Sequence, residues 1–71
     1  MFKLECRSPE DLAVANATIN TGIGERSAAN GKALFVSGLT SSRLAEVMVL
    51  AYAYPVDPTN EDRSYFDEHR C

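Results

Sequence analysis

A small α+β domain is what this sequence predicts, with elements in the order β-α-β-α, a two-stranded sheet and a short C-terminal helix. Three observations lead there. Phe2, Leu4 and Cys6 alternate with Lys3, Glu5 and Arg7, the period of two that marks a half-buried strand. Leu12, Ala15, Ile19 and Ile23 then recur at spacings of three and four, the single apolar stripe of a helix. A second apolar run, Lys32 to Leu39, follows the turn signal Asn30-Gly31. The chain of 71 residues has room for one domain, residues 1–71, with an acidic C-terminal segment at 55–71. A chain of this size hides roughly 60% of its unfolded surface on folding, which excludes a two-domain enzyme or a repeat array.

Each element has its own local reason. Ser8-Pro9-Glu10-Asp11 opens the first helix: serine accepts from free N–H groups, proline suits the first helical position, and two acids sit at the positive end of the dipole. Gly22 and Gly24 are expected to close it. Glu25 to Gly31 reads as a polar loop. Leu34-Phe35-Val36 are consecutive apolar residues, so the second strand is expected to be more buried than the first. A strand, a helix and a strand in that order suggest a crossover onto a parallel pair, with an antiparallel return as the alternative. Thr40, Ser41 or Ser42 caps the next element, Leu44 to Tyr54, whose only charge is Glu46. A helix is preferred there over a strand for its length, alanines and leucines, and Pro55 ends it in either case. Thr59 with Asp62 three residues on resembles a capping box and opens a helix over Asn60 to Arg70, anchored by Tyr65 and Phe66.

Charge limits the partners. The net charge is −3 and the pI is near 4.9, the wrong sign for holding a phosphate backbone, so direct nucleic-acid binding is not expected. The excess lies after Ala53, in Asp57, Glu61, Asp62, Asp67 and Glu68 against Arg63 and Arg70. These acids either solvate the chain or meet a basic partner. Val47 to Val56, the longest nearly uncharged apolar stretch, is about half the ~20 residues of a membrane span. The N-terminal residues carry acids early and no apolar secretory core, so a cytoplasmic location is expected.

No catalytic set stands out. Thr21-Gly22-Ile23-Gly24-Glu25-Arg26-Ser27 departs from the dinucleotide fingerprint, since Ser27 holds the third glycine position and a helix precedes it. His69 is the only histidine, and no serine lies in a nucleophile elbow. Cys6 and Cys71 read as a small buried hydrophobe and an oxidation-prone terminal residue. One histidine and two distant cysteines cannot furnish a zinc set, and Asp57, Glu61 and Asp62 lack the spacing of a calcium loop. No enzyme, cofactor or metal is therefore expected.

The anomaly is the Leu44–Tyr54 run, which is apolar nearly all round. Either the C-terminal segment closes over it through Tyr65 and Phe66, or Val49, Leu50, Tyr52 and Tyr54 form an interface. The expected function is a non-enzymatic protein-binding module, a small inhibitor or regulator that occupies the surface of a larger protein or complex, of the phage or mobile-element type directed at host or defence machinery. Its contacts would be Val49, Leu50, Tyr52 and Tyr54 with the acids Asp57, Glu61, Asp62, Asp67 and Glu68. The alternatives are a self-associating assembly subunit, such as a homodimer joined through the Leu44–Tyr54 element or a sheet edge, and a ligand-binding domain using the Gly22–Ser27 loop.

Overall fold

The computed structural model describes residues 1–69. Strands β1 (Phe2–Glu5), β2 (Arg26–Asn30), β3 (Ala33–Ser37) and β4 (Tyr54–Val56) form one antiparallel sheet in the order β2-β3-β1-β4. Helices α1 (Pro9–Thr18), α2 (Ser41–Ala51) and α3 (Asn60–His69) complete the fold, with a single 3-10 turn at Thr21–Ile23. The α+β class stands, but the two-stranded sheet does not. The stretch read as a loop, Glu25 to Gly31, contains β2, and the end of the long apolar run turns into β4. Arg-Ser-Ala-Ala-Asn has no β-branched or aromatic residue, so nothing local marks β2 as a strand. It is held instead by β3, through a two-residue hairpin whose first central residue, Gly31, has φ +64, the left-handed value a type II′ turn requires.

That hairpin also corrects the strand direction. β1 and β2 both run antiparallel to β3, so they are parallel to one another but separated by it. The crossover through α1 lands one strand further away than expected. Likewise β3 and β4 flank β1, joined through α2. Two interleaved split β-α-β units give the strand order of the ferredoxin-like topology, which serves many unrelated activities and names none.

Alternate residues of the sheet face different layers. Leu4, Leu34 and Val36 meet Leu12 and Ala15 of α1 and Val47 and Ala51 of α2 in the larger core. Ala28, Ala33 and Phe35 point the other way and are covered by Phe66 and Tyr65 of α3. β3 is thus buried on both faces, as its consecutive Leu34-Phe35-Val36 implied. Cys6 is buried at the end of β1 as expected.

The helix boundaries follow their caps. Ser8 Oγ accepts from the Asp11 N–H, and Thr40 Oγ1 accepts from the Arg43 N–H. Thr59 and Asp62 bond reciprocally, side chain to backbone N–H in both directions, which makes the capping box real. α1 stops at Thr18, short of the glycines, so Ile23 lies on the 3-10 turn at 71% exposure and is no part of the apolar stripe. α2 stops at Ala51, because Tyr52 takes the left-handed cap and its N–H and that of Ala53 return to the Met48 carbonyl.

Both sheet edges are interrupted. The Cys6 N–H donates to the Lys32 carbonyl, which sets the alternation of the ladder: Lys3 and Glu5 direct their backbone groups at β4, leaving those of Pro55 outward. The free edge of β4 therefore has no N–H at its centre. On the opposite edge, the outward carbonyl of Ala29 accepts the Tyr65 hydroxyl at 2.7 Å. Such devices discourage edge-to-edge pairing.

Candidate functional site

The apolar run divides as a helix on a sheet must. Val47 and Ala51 are fully buried, while Val49 is 75%, Leu50 40%, Tyr52 62% and Tyr54 59% exposed. Tyr65 and Phe66 do not close over Val49, Leu50 or Tyr52, because α3 packs on the opposite face of the sheet against Phe35. Val49 and Leu50 belong to the last turns of α2, Tyr52 is its cap, and Tyr54 begins β4 directly opposite Glu5. Val49, Leu50 and Tyr52 gather at the C-terminal end of α2, whereas Tyr54, in register with Glu5, takes the α3 face of the sheet with Lys3 and Phe35. Single exposed apolar residues are ordinary, but three within four positions are a surface feature.

Arg7 joins them from the other end of the sequence. Its guanidinium lies 4.0 Å from the Tyr52 ring centroid, and its Nε donates to Asp11 at 2.9 Å. Sequence pattern could not reveal this residue. The contact spans the packing of α1 against α2, which no local spacing encodes.

The five acids do not gather with the apolar corner. Glu61, Asp67 and Glu68 are exposed on α3, across the sheet from α2, and Asp57 follows β4. Asp62 is turned inward and is a structural residue. It caps α3 and pairs with Lys3 Nζ at 2.9 Å, and its carboxyl is held below its ordinary range by the Thr59 N–H first and the Lys3 ammonium next.

The Gly22–Ser27 segment is occupied with itself. Glu25 is buried, and its carboxylate accepts from the Asn20 N–H and from Arg43 Nε, both at 2.9 Å. Arg43 also donates to the Thr18 carbonyl and to Glu46. Its guanidinium, then the Asn20 N–H, holds the Glu25 carboxyl below the usual glutamate value. Arg26 donates to the carbonyls of Thr21 and Glu25, and Ser27 to the Asn16 side chain. This network ties the end of α1 and the start of β2 to the start of α2. Its polar groups are satisfied within the chain.

His69 stacks on Tyr65 at 4.1 Å between centroids, with Nδ1 2.9 Å from the Tyr65 carbonyl. Among the described residues no three His, Cys, Asp or Glu side chains converge as a metal set, and no helix is long and apolar enough to cross a membrane. Arg70 and Cys71 lie outside the described residues. Comparison with protein-family models, with curated proteins and with solved structures yields no match.

Proposed function

We propose that this protein is a non-enzymatic protein-binding module, a small inhibitor or regulator that works by occupying the surface of a larger protein or complex. The observation that carries this reading is the exposure of Val49, Leu50 and Tyr52 at the C-terminal end of α2, although α3 was available in sequence to cover them. Tyrosines and aliphatic side chains of this kind supply the desolvated centre of protein interfaces. The acids of α3 have a different part. Glu61 and Glu68 stand away from the contact centre and would act through the field, speeding encounter with a basic partner more than deepening the complex. Size and charge suit the small acidic proteins that phages and mobile elements direct at host machinery. A homodimer through a sheet edge is disfavoured by Pro55 and by the Tyr65–Ala29 bond.

The test is site-specific photo-crosslinking in cells, with the reactive group at position 49 and, as control, at position 68 on α3. One discrete protein adduct from position 49, lost when Leu50 is changed to Asp, supports the reading. A diffuse product that Leu50→Asp leaves unchanged overturns it.

A further inference from the structure

Asn30-Gly31 is the only asparagine–glycine pair in the chain, and the fold sets it at the tip of the β2–β3 hairpin. Both residues are exposed. Among the described residues, neither the Asn30 carboxamide nor the Gly31 N–H makes a hydrogen bond. A Cβ at Gly31 would meet nothing within 4 Å, so the space around its nitrogen is open. The other asparagines are placed differently. Asn16 accepts the Ser27 hydroxyl and precedes Ala17 inside α1, and Asn20 accepts the Gly22 N–H and precedes the branched Thr21. Asn60 is the first residue of α3 and precedes Glu61. A side chain on the following residue shields its nitrogen, and glycine has none.

Asparagine is a thermolabile residue because its side-chain carbonyl can be attacked by the next backbone nitrogen. At this tip the Gly31 nitrogen bonds to the Asn30 side-chain carbonyl carbon and closes a five-membered imide. The amide group leaves as ammonia, carrying the proton that the Gly31 nitrogen gave up. Water then opens the ring. Cleavage beside the side-chain carbonyl yields aspartate, and cleavage beside the original backbone carbonyl yields isoaspartate, in which the chain runs through the former side chain.

The ladder decides when this happens. Asn30 ends β2 opposite Ala33, and its extended backbone turns the Gly31 nitrogen away from the side-chain carbon. Ring closure therefore needs that pair to open. β2 is an edge strand without a β-branched or aromatic residue, the kind of element that opens locally.

We infer that Asn30-Gly31 is a site of spontaneous imide formation, gated by opening of the hairpin tip, and that its isoaspartate product keeps the tip open. Isoaspartate adds a methylene to the backbone and puts a carboxylate where the Asn30 carbonyl stood, so the pairing with Ala33 cannot re-form. The Lys32 carbonyl, which accepts from the Cys6 N–H, loses its fixed place next to it. One negative charge is added to a net −3. The inference does not depend on the protein-binding reading.

The test incubates the folded protein at neutral and at mildly alkaline pH, beside the same chain unfolded in guanidinium chloride. Peptide mass mapping locates conversion, and an isoaspartyl methyltransferase scores isoaspartate. Expected is conversion at Asn30 before any other asparagine, with isoaspartate exceeding aspartate, faster at the higher pH and several-fold faster in the unfolded chain. In denaturant, where folding plays no part, Gly31→Ala should convert at a small fraction of the parent's rate. Hydrogen exchange on the purified isoaspartyl form should show the Ala33 and Cys6 amides exchanging several-fold faster, with those of α1 and α2 unchanged. Aspartate without isoaspartate, another asparagine converting first in the folded protein, or no conversion at Asn30 while the unfolded chain converts fully each overturns the inference. Equal rates in the folded and unfolded chain overturn the gating, and unchanged exchange at Ala33 and Cys6 overturns the open tip.

Discussion

Replacing Phe66 by alanine tests whether a single ring fastens the third layer of this fold. Of the ten residues of α3, only Tyr65 and Phe66 are large and apolar. Phe66 is 4% exposed and packs with Phe35, Ala28 and Ala33. The two alanines are too small to close the space its ring would leave. The lost transfer free energy is about 1.5–3 kcal/mol for a fully buried side chain. The hole beside Phe35 raises the total to about 3–5 kcal/mol. At about 0.05–0.15 kcal/mol per residue, a chain of 71 residues has roughly 4–11 kcal/mol in all, so the variant should lose a large share of its stability. Other ties of α3 to the sheet include the half-buried Tyr65 ring against Phe35, its hydroxyl on Ala29 and the Lys3–Asp62 pair, none able to replace a fully buried ring. Urea denaturation followed by far-UV circular dichroism measures the loss, and hydrogen exchange should show the amides of residues 60–69 opening first. Val49→Ala, at a position 75% exposed, should stay within about 0.5 kcal/mol of the parent. A loss below about 1 kcal/mol in Phe66→Ala, with residues 60–69 still protected, refutes the view that this ring seals the Phe35 face.

Acid should destabilise the protein through two carboxyls. Glu25 and Asp62 both titrate below their ordinary values of 4.5 and 3.8 when folded, so the folded state binds fewer protons than the unfolded chain in that range. The stability they contribute is present above the unfolded values and is lost as pH falls through the depressed ones. The thermal midpoint should drop below about pH 4.5, and less steeply in a Glu25→Gln, Asp62→Asn double variant; equal slopes defeat the assignment. At the other end of the scale, burial first, then Glu5 and Asp11, push the Cys6 thiol above its ordinary 9.0. In a Cys71→Ser background Cys6 should resist a thiol reagent until the protein unfolds, and rapid native labelling would show that the end of β1 opens. Gly38→Ala should destabilise more than Gly31→Ala in thermal melts. Both positions have positive φ, but only at Gly38 would a methyl group collide with a backbone carbonyl, that of Gly24.

What the sequence determined by itself was whatever depends on neighbours in the chain. Burial of Leu4 and Cys6 between Lys3, Glu5 and Arg7 (Phe2, at 51% exposure, departs from the expected pattern), the Ser8 and Thr40 caps, the Thr59–Asp62 capping box and the burial of Leu34-Phe35-Val36 are all local chemistry. So was the surplus of apolar surface after Leu44, because a helix on a sheet has one inner face and this segment has apolar residues on more than one. Tertiary structure decided the rest. Arg26–Asn30 is a strand only because β3 offers it a ladder and small side chains fit beneath Asn16 and Phe66. Tyr54–Val56 is a strand only because β1 has a free edge once α2 ends at Tyr52. The side of the sheet that α3 covers was decided by Phe35, whose ring faces away from α1 and α2 and needs a partner of its own. That choice left Val49, Leu50 and Tyr52 in water, since a chain with two apolar surfaces and one remaining helix can cover only one of them.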